Sequence, residues 1–140
     1  MLPYPRWCLT GWWRGEAFAG GRPVSWWRNA IQSTHVSVVM VERPGKGSRP
    51  ELIFYLEGPP SSPQRAADSV RVMRALLYES DAKVRYYAAQ QLGQLYGAAW
   101  PALHELRTAT ADGSVVMDGV TVGDAAADAI LRIEADFGGW

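Results

Sequence analysis

Few residues in this chain have types and spacings that could carry catalysis. Cys8 with His35 or His104 could act as a nucleophile and its base, because a thiolate attacks a carbonyl once a neighbouring base holds its proton. His104-Glu105 would begin a His-Glu-x-x-His zinc motif, but Thr108 stands where the second histidine belongs. Neither pattern has the required spacing or flanking residues. The sequence therefore predicts no catalytic residue, no metal and no cofactor.

Two further patterns are better explained without chemistry. Asp124 and Asp128 are spaced i, i+4, like a carboxylate pair for acid-base catalysis, yet acidic residues in the first turns of a helix are expected from the helix dipole alone. PGKGS at 44–48 lacks the Gly-x-x-x-x-Gly-Lys spacing of a phosphate-binding loop and indicates a solvated basic turn. We therefore expect a protein that is not an enzyme.

Aromatic residues near the N-terminus form a more unusual pattern, because a Trp-Trp-Arg triplet occurs at residues 12–14 and again at 26–28. The rings could stack on sugars or bases beside the arginine charges, or lie at a membrane interface. We favour burial, since each ring can cover about 150 to 250 Å² of a helical core. The structural cap would consist of Trp12, Trp13, Trp26 and Trp27.

Charge is distributed unevenly along the chain, although the net charge is zero. Residues 1–50 carry seven Lys or Arg against two acidic residues, a balance of +5, which leaves −5 for residues 51–140. A basic third could meet an anionic partner, but it could equally lie against the acidic remainder of the chain or a neighbouring copy. No nucleic-acid-binding module accompanies the charge, so we do not expect nucleic acid as a partner.

Length and composition limit the class of protein. The 140 residues suit one domain, and 48% hydrophobic with 20% charged residues is typical of a globular chain. The single cysteine, Cys8, is compatible with a reducing compartment, which predicts a cytoplasmic location. No apolar run approaches the roughly 18 residues of a membrane span, and the start lacks the regions of a signal peptide. An upstream anchor would escape notice if the gene model begins late.

Residues 1–60 predict an N-terminal capping segment rich in Trp, Gly and Pro. Ser25 can cap a short helix over about 25–33, with Pro23 restricting the entry. The β-prone runs HVSVVMV and ELIFYLE flank ERPGKGSRP, which predicts a hairpin or an irregular excursion.

Residues 61–140 predict four helices. The first follows Pro63 and ends near residue 80, the second is capped by Asp81, the third begins at Pro101, and a connection over 109–121 leads to the fourth. The apolar stripes of the three longer helices are Ala66, Val70, Met73 and Leu77; Val84, Ala88, Leu92 and Leu95; and Val122, Ala126, Ile130 and Ile133.

The second and fourth helices repeat one apolar frame at an offset of 38 residues, which is typical of an α-solenoid. The run DAKVRYYAAQQLGQLYGAAWPAL resembles the HEAT or HEAT-like repeat, and the resemblance covers residues 62–137 as units at about 62–97 and 98–137. GGRPVSWW is similar to a segment ahead of the repeats in some bacterial HEAT-repeat proteins. The matching positions are Asp81, Val84, Arg85, Ala88, Ala89, Leu92, Gly93, Ala99, Pro101 and Leu103.

The resemblance implies an all-α fold, namely a short HEAT-like α-solenoid of about two helical hairpins behind the Trp-rich cap, with a small β-hairpin as an optional addition. Gly123 stands where the family places an arginine, which suggests that the second unit is terminal. The partner-binding face would be the inner helix of the first unit, at Arg85, Tyr86, Gln90 and Gln94.

The function implied is non-catalytic protein–protein interaction. One alternative is a lyase-like accessory protein that handles a chromophore or small ligand, since some HEAT-like proteins resemble phycobilin lyases. Another is a fragment of a longer repeat protein. The sequence identifies neither the partner nor the oligomeric state.

Overall fold

The computed structural model describes residues 16–43, 45 and 47–138. This part of the chain contains five α-helices, one 3-10 helix and six strands, and the strands occur as three consecutive pairs. The helices are α1 (Val24–Ser33), α2 (Ala66–Leu76), α3 (Ala82–Gln94), the 3-10 helix Tyr96–Ala102, α4 (Leu103–Ala109) and α5 (Val122–Gly138). The strands are β1 (Phe18–Ala19), β2 (Arg22–Pro23), β3 (Val36–Arg43), β4 (Gly47–Phe54), β5 (Val115–Met117) and β6 (Val120–Thr121).

The prediction of an all-α solenoid is wrong, because consecutive strands pair into three two-stranded antiparallel sheets and the fold is mixed α/β. Turn chemistry explains the two smallest sheets. Gly20 and Gly21 both have positive φ, at 60° and 74°, as do Asp118 and Gly119, at 49° and 78°. Two consecutive residues in this conformation form the tight turn whose twist matches a β-hairpin.

The predicted hairpin around ERPGKGSRP is present as β3 and β4. Its register is unbroken, from Val36 opposite Phe54 to Arg43 opposite Gly47. Alternate side chains point to opposite faces of a sheet, and one face carries Val36 and Leu52 into the core. Of the PGKGS run, Gly45 is a turn residue of this hairpin and Gly47 begins β4.

Helix α3 forms the centre of the core and packs most extensively against α5. The Asp81 carboxylate accepts a hydrogen bond from the Lys83 N–H at 2.9 Å and caps the helix start. Gly93 sits so close to α5 that a Cβ there would lie 2.9 Å from the Ala129 Cα. Apart from Arg85, the repeat-motif residues within α3 are core residues. Those that are fully buried are Val84, Ala88, Ala89, Leu92 and Gly93.

Helix α1 contributes Trp27 to the core. The indole is buried, and its Nε1–H donates to the Ala19 carbonyl at 3.2 Å. Trp26 is half-buried, with the Arg22 guanidinium 3.9 Å from its ring centroid. The other two predicted cap residues, Trp12 and Trp13, lie outside the described residues, as does Cys8.

The start of α5 explains the glycine that departs from the repeat pattern. Thr121 and Asp124 cap the helix reciprocally, each side chain accepting the backbone N–H of the other. A Cβ on Gly123 would lie 2.6 Å from the Thr110 carbonyl oxygen and 2.9 Å from that of Asp112. Position 123 therefore has no room for a side chain, and the arginine of the pattern could not fit there.

Candidate protein-binding surface

Arg85, the first residue of the predicted partner-binding face, joins two loops of its own chain. Its Nε donates to the Asp112 carboxylate at 2.8 Å, and its terminal nitrogens donate to the carbonyls of Glu79 and Ser80 and to the Ser114 hydroxyl. The Arg85 and Asp112 side chains are only 18% and 21% exposed. Burial raises the pKa of Asp112, but its bonds to Arg85 and Ser114 lower it more, so the carboxylate is ionised at neutral pH. The Arg85 guanidinium therefore connects the loop before α3 to the loop after α4 and is occupied by contacts within its own chain.

Tyr86 and Gln90 bind one backbone residue of β4. The Leu52 N–H donates to the Tyr86 hydroxyl at 3.2 Å, and the Gln90 side-chain amide donates to the Leu52 carbonyl at 2.7 Å. Phe54 stacks on the Tyr86 ring with centroids 6.0 Å apart. Burial is the main cause of the raised pKa of the Tyr86 hydroxyl. The face predicted to take a partner is therefore covered by the chain's own hairpin at these two residues.

Gln94 is exposed at the edge of a small polar cavity between β4, α3 and α5. Two ion pairs line it, Arg49 with Asp124 at 3.3 Å and Arg132 with Asp128 at 3.2 Å. Its volume is about 40 Å³. A cavity needs at least about 10 to 15 Å³ of such space to hold one water molecule, so this one has room for a few waters and is too small for a chromophore.

A different surface, at the end of α3, exposes large apolar side chains together. We define the aromatic surface as Tyr96, Trp100, Leu131 and Phe137, each of which is 45% to 53% exposed. The Trp100 and Phe137 rings pack edge to face, with centroids 4.7 Å apart and planes at 62°. Tyr96 and Leu131 line a shallow groove of about 390 Å³ beside them. The exposed apolar area of these side chains is roughly 300 to 400 Å².

Two backbone features place the aromatic surface. Tyr96 has φ of 51°, a left-handed conformation that is uncommon for a residue with a side chain and that turns the chain sharply after α3. The Gly97 N–H then donates to the Asp136 carboxylate at 2.8 Å. A Cβ on Gly97 would lie 2.3 Å from that carboxylate and 3.0 Å from the Phe137 ring. Glycine at this position lets the 3-10 helix close onto α5.

Sequence reasoning missed this surface because its two halves are far apart in the chain. Trp100 lies just before Pro101, near the start of the predicted unit 98–137, and no local pattern there indicates that its ring is half exposed. Leu131 lies one residue beyond the buried stripe of α5, which was the available signal that it faces outward.

The remaining chemical candidates are dispersed in the structure. His35 packs against Tyr55 with ring centroids 5.3 Å apart, whereas His104 is exposed on α4. Asp124 and Asp128 are used in the cap and ion pairs described above. Within the described residues, no group of three or more His, Cys, Asp or Glu side chains could hold a metal ion. The same part of the chain has no helix with the length and apolarity needed to cross a membrane.

Comparisons with known proteins found no matching family model, no matching curated protein and no matching solved structure.

Proposed function

We propose that this chain is a non-catalytic protein-binding module and that the aromatic surface is its contact site. The observation that carries the proposal is the edge-to-face pair of Trp100 and Phe137, about half exposed beside Tyr96 and Leu131. Trp and Tyr are enriched among residues that dominate binding energy, and exposed apolar patches of this size are often functional.

The surroundings of the aromatic surface favour a protein partner over a small molecule. The groove at Tyr96 and Leu131 is open and shallow, whereas small-ligand sites are concave and bury most of the ligand. Charged residues surround the apolar centre, with Arg132 and Asp136 in the groove and an Arg107–Glu134 ion pair at 3.2 Å nearby. An apolar centre with a polar rim is the usual organisation of a protein interface.

The resemblance of residues 62–137 to HEAT-like repeats is a second reason for proposing protein binding. The single cysteine remains the reason for proposing a cytoplasmic setting.

Photo-crosslinking would test the site directly. A benzophenone amino acid placed at Leu131, which is exposed, should capture a discrete protein band from native lysate. The same group placed at Tyr78, exposed at the end of α2, is the matched control and should not capture that band.

Once the captured protein is identified and purified, its Kd for wild type and variants tests the site quantitatively. Trp100→Ala should weaken binding at least tenfold, which corresponds to about 1.4 kcal/mol, because a hot-spot aromatic typically contributes more than that. Tyr78→Ala should change the Kd less than twofold, and both variants must keep the wild-type circular dichroism spectrum. Equal affinity of wild type and Trp100→Ala would contradict the proposal.

A further inference from the structure

The two edges of the β3–β4 hairpin differ in what holds their backbone groups. On β4, the outward N–H and carbonyl of Leu52 are bonded by Tyr86 and Gln90, and Pro50 has no N–H to offer. At residues 50 and 52 the outer edge of β4 therefore lacks a donor or is covered by α3.

Within residues 16–43, 45 and 47–138, nothing gives the edge of β3 either protection. The Tyr55 N–H donates to the His35 carbonyl at 3.0 Å, which identifies odd-numbered residues of β3 as the hydrogen-bonded partners of β4. In an antiparallel pair the intervening residues direct their N–H and carbonyl groups away from the partner strand. Those residues include Val38, Met40 and Glu42, and in the described part of the chain β3 has β4 as its one paired strand.

Proteins usually protect such an edge with charge, proline or a bulge. Residues 36–41, VSVVMV, contain no charged residue and no proline, and the eight pairs of the hairpin show no register shift. Met40 is 64% exposed at the middle of this edge. A continuous strand of this composition pairs readily with another strand.

We propose that β3 pairs with β3 of a second copy of this chain, giving a two-fold antiparallel dimer with one continuous four-stranded sheet. With Met40 opposite Met40 of the second copy, Val38 lies opposite Glu42 on each side. Val38, Met40 and Glu42 of each strand then form three pairs and about six new backbone hydrogen bonds.

The position of Glu42 favours antiparallel over parallel pairing of the two β3 strands. Glu42 is the one charged residue among the three, and the two Glu42 side chains would be four residues apart along the new ladder, about 14 Å at 3.4 Å per residue. This separation exceeds the Debye length of about 8 Å at physiological salt, whereas parallel pairing would set them about 5 Å apart. The net charge of zero also means that two copies do not repel each other as whole molecules.

Sedimentation of the full chain from about 1 to 200 µM, a range that brackets a micromolar Kd, tests the dimer. Wild type should shift from monomer to dimer across this range. Met40→Pro removes one outward N–H without breaking a β3–β4 hydrogen bond, and should raise the dimer Kd at least tenfold. Met40→Ala is the matched control, since it keeps the backbone donor at the same position and should still dimerise. A chain that stays monomeric throughout overturns the proposal.

Amide hydrogen exchange of the wild-type chain supplies a test that needs no variant. The N–H groups of Val38, Met40 and Glu42 should be protected at high concentration and exchange faster on dilution, while those of Val39 and Val41 stay protected at both. Protection that does not depend on concentration would mean that another part of the same chain covers the edge, and would overturn the proposal. A dimer without this protection uses another interface and overturns it equally.

Discussion

Replacing Arg85 with methionine should destabilise the fold more than any exposed arginine would. Methionine keeps an apolar stem of similar length but loses the bonds to Asp112, Glu79, Ser80 and Ser114. Breaking a fully buried ion pair costs about 3 to 5 kcal/mol, and an exposed pair contributes about 0 to 1. Because the two side chains are about one-fifth exposed, we expect Arg85→Met to lower the free energy of unfolding by about 2 to 3 kcal/mol at pH 7.

The loss of unfolding free energy caused by Arg85→Met should become smaller in acid. The folded-state pKa of Asp112 lies below its ordinary value of 3.8, so its ionised form adds stability above that value, and this stability is lost as pH falls through the folded-state pKa. Methionine removes the main group that lowers the pKa while burial still raises it. The difference in unfolding free energy between wild type and Arg85→Met should therefore begin to shrink above pH 3.8, where Asp112 of the variant takes up a proton, and continue to shrink as pH falls through the lower pKa of wild type.

Urea denaturation of wild type, Arg85→Met, Asp112→Asn and the double variant would measure both effects. Coupling between the two positions should reach about 1 kcal/mol or more at pH 7 and decline in acid. If the two substitutions add within about 0.3 kcal/mol at pH 7, or the cost of Arg85→Met does not change with pH, Arg85 does not act through Asp112. The residue would then again be a candidate for binding a partner.

Three further predictions test the core. Tyr87→Phe should stabilise the protein by about 1 kcal/mol in urea denaturation, because the Tyr87 hydroxyl is buried with no hydrogen-bond partner in the described part of the chain and burial raises its pKa; a loss of stability would reveal a bonded hydroxyl. Gly93→Ala should lower the unfolding free energy by about 1 to 3 kcal/mol, since its Cβ would meet the Ala129 backbone, and an unchanged Cm would show that α3 and α5 separate easily. Trp27→Ala should cost about 3 to 5 kcal/mol in thermal unfolding, with Trp26→Ala costing much less because Trp26 is half-buried; equal effects would argue against this difference in packing.

Sequence periodicity located the helices well, because their signals are local. Asp81 caps α3, and the stripe beginning at Val84 is buried as expected. The fold class was wrong because two hairpins are so short that no alternating pattern develops. Their turns, Gly20-Gly21 and Asp118-Gly119, were nevertheless visible signals.

The candidate site was harder to predict, because helical periodicity identifies a face without identifying what covers it. Tyr86 and Gln90 were expected to face a partner, and they contact Leu52 of the same chain, 34 and 38 residues away. No local pattern encodes such a contact. The aromatic surface likewise depends on Trp100 meeting Phe137 across 37 residues.

The attachment of Leu52 to α3 has a consequence for how the molecule opens. The hairpin is attached to the helices by the two hydrogen bonds of Leu52, the Arg49–Asp124 ion pair and the packing of the Val36, Leu52 and Phe54 side chains, all of them side-chain contacts or side-chain bonds to one backbone residue. The hairpin can therefore detach as a cooperative unit at a free energy below that of global unfolding. The Leu52 amide would exchange with solvent through this partial opening, while amides in the middle of α3 would exchange only when the whole core unfolds.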